Sequence, residues 1–132
     1  MTGEPISSEA LQGKVVVYDF WATWCPACRE STPELRDLAK KYGDKVTLVS
    51  VSADEDRKPW MEYVQKQRMT WPQVFDGEGQ LCRAFKVQAF PTYVIVDRDG
   101  FIHEQIIGTE SLVGRLKAAL RSLPELEGVA QN

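Results

Sequence analysis

Apolar positions in this chain fall into two kinds of run. Val15–Phe20 (VVVYDF) is almost continuously apolar, the pattern of a strand buried on both faces. Val46–Val51 is rich in β-branched residues and reads as a second strand, and Tyr93–Asp97 (YVIVD) as a third. Between them the spacing turns helical. Leu35, Leu38 and Ala39 share a face within Pro26–Tyr42, and Gly43 ends that helix. Trp60, Tyr63 and Val64 form a stripe on a helix from Asp56 to Arg68, with Asp56 as N-cap and Pro59 in the first turn. Pro72–Asp76 reads as a short strand and Gln80–Phe85 as a short helix. Arg98-Asp99-Gly100 is a hairpin turn into an antiparallel strand, Phe101–Ile107. Glu110–Leu123 carries Leu112, Leu116, Leu120 and Leu123 on one face, and Pro124 ends it.

The order is β-α-β-α-β-α-β-β-α. Strands separated by helices pair in parallel, and the hairpin adds an antiparallel pair. The predicted fold is α/β, a mixed central sheet with helices on both faces. At 132 residues, 43% of them hydrophobic, the chain supports one domain with one core. We place that domain at residues 11–123. Residues 1–10 read as a tail or truncated hairpin, and residues 124–132 as a C-terminal tail. A formal net charge of −3 argues against a nucleic-acid partner, which requires a basic footprint. No apolar run is long enough to cross a bilayer, and Met1–Gly13 lacks the basic start and apolar stretch of a signal peptide.

Three cysteines cannot staple a chain of this size, but two of them stand close together, as Cys25-Pro26-Ala27-Cys28. They follow a buried strand and open a helix. The first helical turn has unpaired N–H groups and a positive dipole end, and both favour a thiolate. Pro26 suits the first helical position, where its missing N–H costs nothing. Cys25 is then the cap residue and the expected exposed nucleophile. A cysteine of pKa ~8.5 is about 3% ionised at pH 7, and one near ~7 about half. Cys28, one turn on, is placed to resolve a mixed disulfide formed at Cys25. Two other chemistries compete. A zinc site needs two more ligands, and only Cys82 and His103 remain, with no knuckle spacing. A CxxC can also act as a binding module for a metal or an apo-protein.

Tyr18-Asp19-Phe20-Trp21-Ala22-Thr23-Trp24-Cys25-Pro26-Ala27-Cys28-Arg29 resembles the active-site segment of thioredoxin-fold oxidoreductases. Its FWATWCPAC form is similar to the TlpA/ResA group. Pro33 matches a proline of the family's active-site helix, and Phe90-Pro91-Thr92 resembles its cis-proline loop. Gly108 and the Asp99-Gly100 turn fall where the family has glycines. The separation of Cys28 from Pro91 exceeds that of plain thioredoxins, and the surplus, residues 56–76, resembles the group's central insertion. Tryparedoxin and nucleoredoxin proteins share such an insertion.

The resemblance implies a thioredoxin-like α/β/α fold and a protein-disulfide reductase. Cys25, Cys28 and Asp19 would be catalytic, and Trp24, Pro26, Phe90, Pro91 and Thr92 would bind substrate. It implies no cofactor and no metal. Partners would be disulfide-containing proteins and an upstream thiol–disulfide electron donor, with the chain acting as a monomer. It favours an extracytoplasmic or periplasmic setting with the targeting segment absent from this chain, the alternative being cytoplasmic. The chain departs from the group at Asp19, where asparagine is common. Ser50 stands in place of the lysine that partners this acid in thioredoxins. A thiol peroxidase is a further alternative, but peroxiredoxins carry PxxxTxxC, and Phe20–Trp24 matches neither its Pro nor its Thr.

Other residues have plainer readings. Cys82, beside Leu81 and Phe85, reads as a small buried hydrophobe. His103 falls on the hairpin surface. Trp60, Tyr63, Trp71 and Phe75 read as local core, with Trp71-Pro72 alternatively lining a partner groove.

Overall fold

The computed structural model describes residues 11, 13–107 and 112–126. The expected tail or hairpin at residues 1–10, Gly108, the predicted helix start at Glu110 and the last six residues lie outside the described residues.

The elements follow the predicted order. They are β1 (Val15–Trp21), α1 (Pro26–Tyr42), β2 (Val46–Ser52), α2 (Arg57–Lys66), β3 (Gln73–Phe75), α3 (Gln80–Ala84), β4 (Thr92–Val96), β5 (Ile102–Ile106) and α4 (Leu112–Arg121). The five-stranded sheet runs β3-β2-β1-β4-β5. β1 pairs in parallel with β2 and β2 with β3, while β1–β4 and β4–β5 are antiparallel. The mixed sheet of the sequence prediction is therefore observed, but β4 pairs antiparallel with β1 although helices separate the two, against the parallel pairing expected. β1 sits at its centre, which explains why its sequence is apolar on both faces.

The two faces are covered differently. Val15, Val17 and Trp21 of β1 pack with Leu35 and Leu38 of α1, Trp60 of α2 and Leu116 of α4. Val16 and Phe20, on the other face, pack with Leu81, Cys82 and Phe85 at α3. Burying a side chain such as Leu116, which is fully enclosed, is worth about 1.5–3 kcal/mol. The inserted residues 56–76 supply α2 and β3, so they widen the sheet and add Trp60 to the larger core.

Helix boundaries follow local chemistry. Gly43 ends α1 at φ 52°, and its N–H donates to the Ala39 carbonyl. Asp56 is the extended N-cap of α2, as predicted, but its side chain makes no capping bond. At the hairpin, Asp97 Oδ1 accepts from the N–H groups of Asp99 (2.9 Å) and Phe101 (3.0 Å). The C-terminal end differs from the tail expected from residue 124. Pro124–Leu126 form a 3₁₀ turn, and Leu126 is buried in the main core. Pro124 stops the α-helix, but the apolar Leu126 side chain draws the next turn back onto the domain. No helix among the described residues is long and apolar enough to cross a membrane.

Candidate active site

Cys25 is the N-cap of α1. Its backbone is extended, at φ −94° and ψ 111°, and Pro26 occupies the first turn. The Cys28 N–H donates to Cys25 Sγ at 3.2 Å. A sulfur thus takes the place of the usual capping oxygen and receives one of the helix's free amides. The first turn holds no acidic residue, so nothing there opposes negative charge on that sulfur. Cys25 and Cys28 are joined as a disulfide, with 5.3 Å between their Cα atoms.

The exposure expected of Cys25 is not found in this oxidised state. Cys25 is 5% exposed and Cys28 3%. The neighbouring loops explain this. Cys25 Sγ lies 3.6 Å from the Phe90 carbonyl oxygen, and the Trp24 and Phe90 rings meet edge to face at 5.8 Å beside it. Trp24 itself is 62% exposed, so an apolar lip stands over the disulfide. Pro26 is exposed on the same edge, Phe90 is half-buried and Pro91 is buried. The Phe90–Pro91 bond is cis. Thr92 is fully buried, and its hydroxyl donates to the Ala89 carbonyl at 2.7 Å, so its side chain braces the loop. A shallow cleft continues from this edge between α1 and α4, lined by Ala27, Glu30, Ser31, Glu34 and Pro91.

Asp19 lies in β1, 1% exposed, on the face whose core also holds Cys25 and Cys28. Burial pushes its carboxyl up to about 7, and the Ser50 hydrogen bond pulls the other way. Ser50 Oγ donates to Asp19 Oδ2 at 2.6 Å, and Trp71 Nε1 donates to Ser50 Oγ at 2.8 Å. Asp19 Oδ1 has no hydrogen-bond partner. Tyr93 sits opposite Asp19 in β4, and burial, with Asp19 beside it, pushes its hydroxyl up. Trp71 is thus buried against Ser50, not in a partner groove.

Sequence reasoning missed Asp54, 2% exposed in the loop after β2. Its carboxylate accepts from the Thr23 N–H at 3.1 and 3.2 Å, from Thr23 Oγ1 at 2.6 Å and from Ser52 Oγ. It therefore ties the loop that carries Trp24 and Cys25 to the end of β2. A carboxylate two residues past a buried strand was the available signal, but nothing local marks Thr23 as its partner.

The remaining residues stand apart from this site. Cys82 is half-buried in α3, and burial and Asp76 push its thiol up to about 12. That matches an inert packing role. His103 is exposed, with Nε2 3.1 Å from Ser122 Oγ. No group of three or more His, Cys, Asp or Glu among the described residues is arranged to hold a metal ion.

The Redoxin family model matches residues 1–120. The thioredoxin-like protein YneN of Bacillus subtilis is 34% identical over 112 residues, 83% of this chain and 65% of its own length. The thiol-disulfide oxidoreductase ResA of Bacillus thuringiensis is 33% identical over 121 residues, 89% of this chain and 70% of its own. The chain thus spans about two thirds of the length of these curated relatives. Among solved structures, a secreted Mycobacterium tuberculosis disulfide oxidoreductase homologous to E. coli DsbE superposes with a TM-score of 0.79 at 25% identity, covering 90% of this chain and 89% of that one. The M. tuberculosis dsbF structure, in mixed oxidised and reduced forms, gives 0.75 at 30% identity over 86% and 84%. A sheet of this topology, with a CxxC disulfide at a helix start, a cis proline beside it and a match over most of the chain, places the protein in the Redoxin family, among homologues of the ResA and YneN proteins.

Proposed function

We propose that the chain is a thiol–disulfide oxidoreductase that reduces disulfides in partner proteins. The observation that carries this reading is the Cys25 sulfur at the cap of α1, accepting the Cys28 N–H. In the reduced protein the same amide would stabilise a Cys25 thiolate. That thiolate attacks one sulfur of a partner disulfide, forming a Cys25–partner disulfide and releasing the other partner sulfur as a thiolate. Cys28 gives its proton to Asp19 and attacks Cys25 Sγ. The Cys25–Cys28 disulfide forms, and the partner leaves with two thiols once its thiolates take up protons. An upstream dithiol returns two electrons to the pair. Trp24, Pro26, Phe90 and Pro91 border the disulfide and serve as the docking edge for an extended partner segment. The chemistry uses no metal and no bound cofactor.

Reduction of insulin by the dithiothreitol-driven protein tests the reading. Cys28→Ser is expected to accumulate mixed disulfides on Cys25, while Cys25→Ser forms none and loses turnover. Failure of the wild type to reduce insulin, together with peroxide consumption or stoichiometric metal binding, would replace the reading with a peroxidase or a binding module.

A further inference from the structure

Trp71 belongs to the inserted segment, between α2 and β3, yet its indole reaches the buried acid of the central strand. The direction of the Trp71 hydrogen bond follows from chemistry alone. An indole N–H only donates, so at 2.8 Å it must use a lone pair of Ser50 Oγ. Ser50 has one hydroxyl proton, and its Oγ lies 2.6 Å from Asp19 Oδ2. With its oxygen accepting from Trp71, the hydroxyl is aimed to donate to Asp19. All three residues are buried, so water does not compete for these bonds. Asp19 Oδ1 is left without a partner.

We propose that Trp71 and Ser50 are positioning residues for Asp19: the indole fixes the Ser50 proton on Oδ2 and leaves Oδ1 as the oxygen that exchanges a proton. This deepens, and rests on, the reading of Asp19 as the proton acceptor for Cys28. It gives the inserted segment a role at the active site, on the sheet face that packs against α1. The groups facing Asp19 are few. Ser50 comes from β2, Tyr93 from β4 and Trp71 from the insertion, while Cys28 of α1 packs in the same core. No lysine, arginine or further carboxylate contributes to its upward displacement, which burial causes and Ser50 opposes. The hydrogen-bond chain is therefore the protein's means of favouring the ionised form.

The test is carbon-detected NMR titration of the Asp19 carboxyl in the reduced protein, with the Trp71 indole N–H resonance followed in parallel. In the wild type the indole resonance is expected to move with the same midpoint as Asp19. Ser50→Ala should raise that midpoint by about one pH unit, since one hydrogen bond to a carboxylate is lost. Trp71→Phe should raise it by about 0.3 unit, because only the support of that bond is lost. A flat indole resonance across the Asp19 titration, or a folded Trp71→Phe with an unmoved midpoint, would overturn the proposal. The pH profile for resolution of a Cys25 mixed disulfide, measured on the same variants, separates the two readings. A profile that follows the moved midpoints supports both. One that ignores them removes Asp19 from turnover while the action of Trp71 and Ser50 on its titration stands.

Discussion

Two buried aspartates flank the active-site loop, and they are used in opposite ways. Asp19 and Asp54 are 1% and 2% exposed. Asp54 spends both oxygens on donors, namely the Thr23 amide and hydroxyl and the Ser52 hydroxyl. Asp19 receives one hydroxyl and leaves Oδ1 open. A buried carboxylate surrounded by donors is a clamp, because removing it strands every donor at once. A buried carboxylate short of donors holds its negative charge poorly, so its proton becomes exchangeable near neutral pH. Burial alone does not distinguish the clamp from the open carboxylate; the count of donors does.

The largest expected effect is on the pH dependence of stability. The Asp19 carboxyl titrates near 3.8 in its ordinary state and at about 7 in the fold. Between these values the folded state holds a proton that the unfolded chain has released, so stability falls as pH rises from about 4 to 7. Integrated over the window, the loss has a ceiling of about 4 kcal/mol. Asp19→Asn cannot ionise and should remove this slope, leaving the oxidised variant more stable than wild type at pH 8. Urea denaturation of both proteins at pH 4, 6 and 8 checks this. Parallel stability curves for the two would show that Asp19 is not the open carboxylate described here.

Asp54→Ala should act with the opposite sign. It leaves the Thr23 amide and hydroxyl and the Ser52 hydroxyl without their acceptor, at a cost of about 3 kcal/mol. The loop holding Trp24 and Cys25 should also loosen, with insulin reduction falling about tenfold on a loss of positioning. Denaturation at pH 7 and the insulin assay are the measurements. An Asp54→Ala protein as stable as wild type would erase the contrast between the two acids.

The two acids also differ in how far the chain announces them. Asp19 stands out because it interrupts an apolar strand ahead of a CxxC, and the helix after it is bounded by Pro26 and Gly43, whose local chemistry fixes both ends. Asp54 binds Thr23 across 31 positions, and Trp71 binds Ser50 across 21. Such pairs exist only once β1, β2 and the inserted segment lie side by side, so no local pattern encodes them. The same holds for Thr92. Its place beside Pro91 was legible, but its burial follows from the packing of β4 as an interior strand between β1 and β5. Strand ends such as Trp21 and Ser52 were missed by one residue because the ladder continues past the apolar run. The turn at Leu126 was missed because Pro124 marks the end of an α-helix, not of the chain's contact with the core.

The smallest effect belongs to the Thr23 hydroxyl. Thr23→Val keeps the shape of the side chain and the backbone amide that donates to Asp54, and removes only the 2.6 Å hydroxyl bond. Its cost should be about 1 kcal/mol, because Asp54 retains the amide and Ser52. Thr23→Ser keeps the hydroxyl and should lie nearer wild type. The informative measurement is a double-mutant cycle. If Asp54 is the clamp, Thr23→Val in the Asp54→Ala background costs almost nothing, since the bond it removes is already gone. If the two costs simply add, the Thr23 hydroxyl stabilises the loop through some other contact. The same substitution made against Asp19→Asn should be additive, because Thr23 and Asp19 share no hydrogen-bond partner.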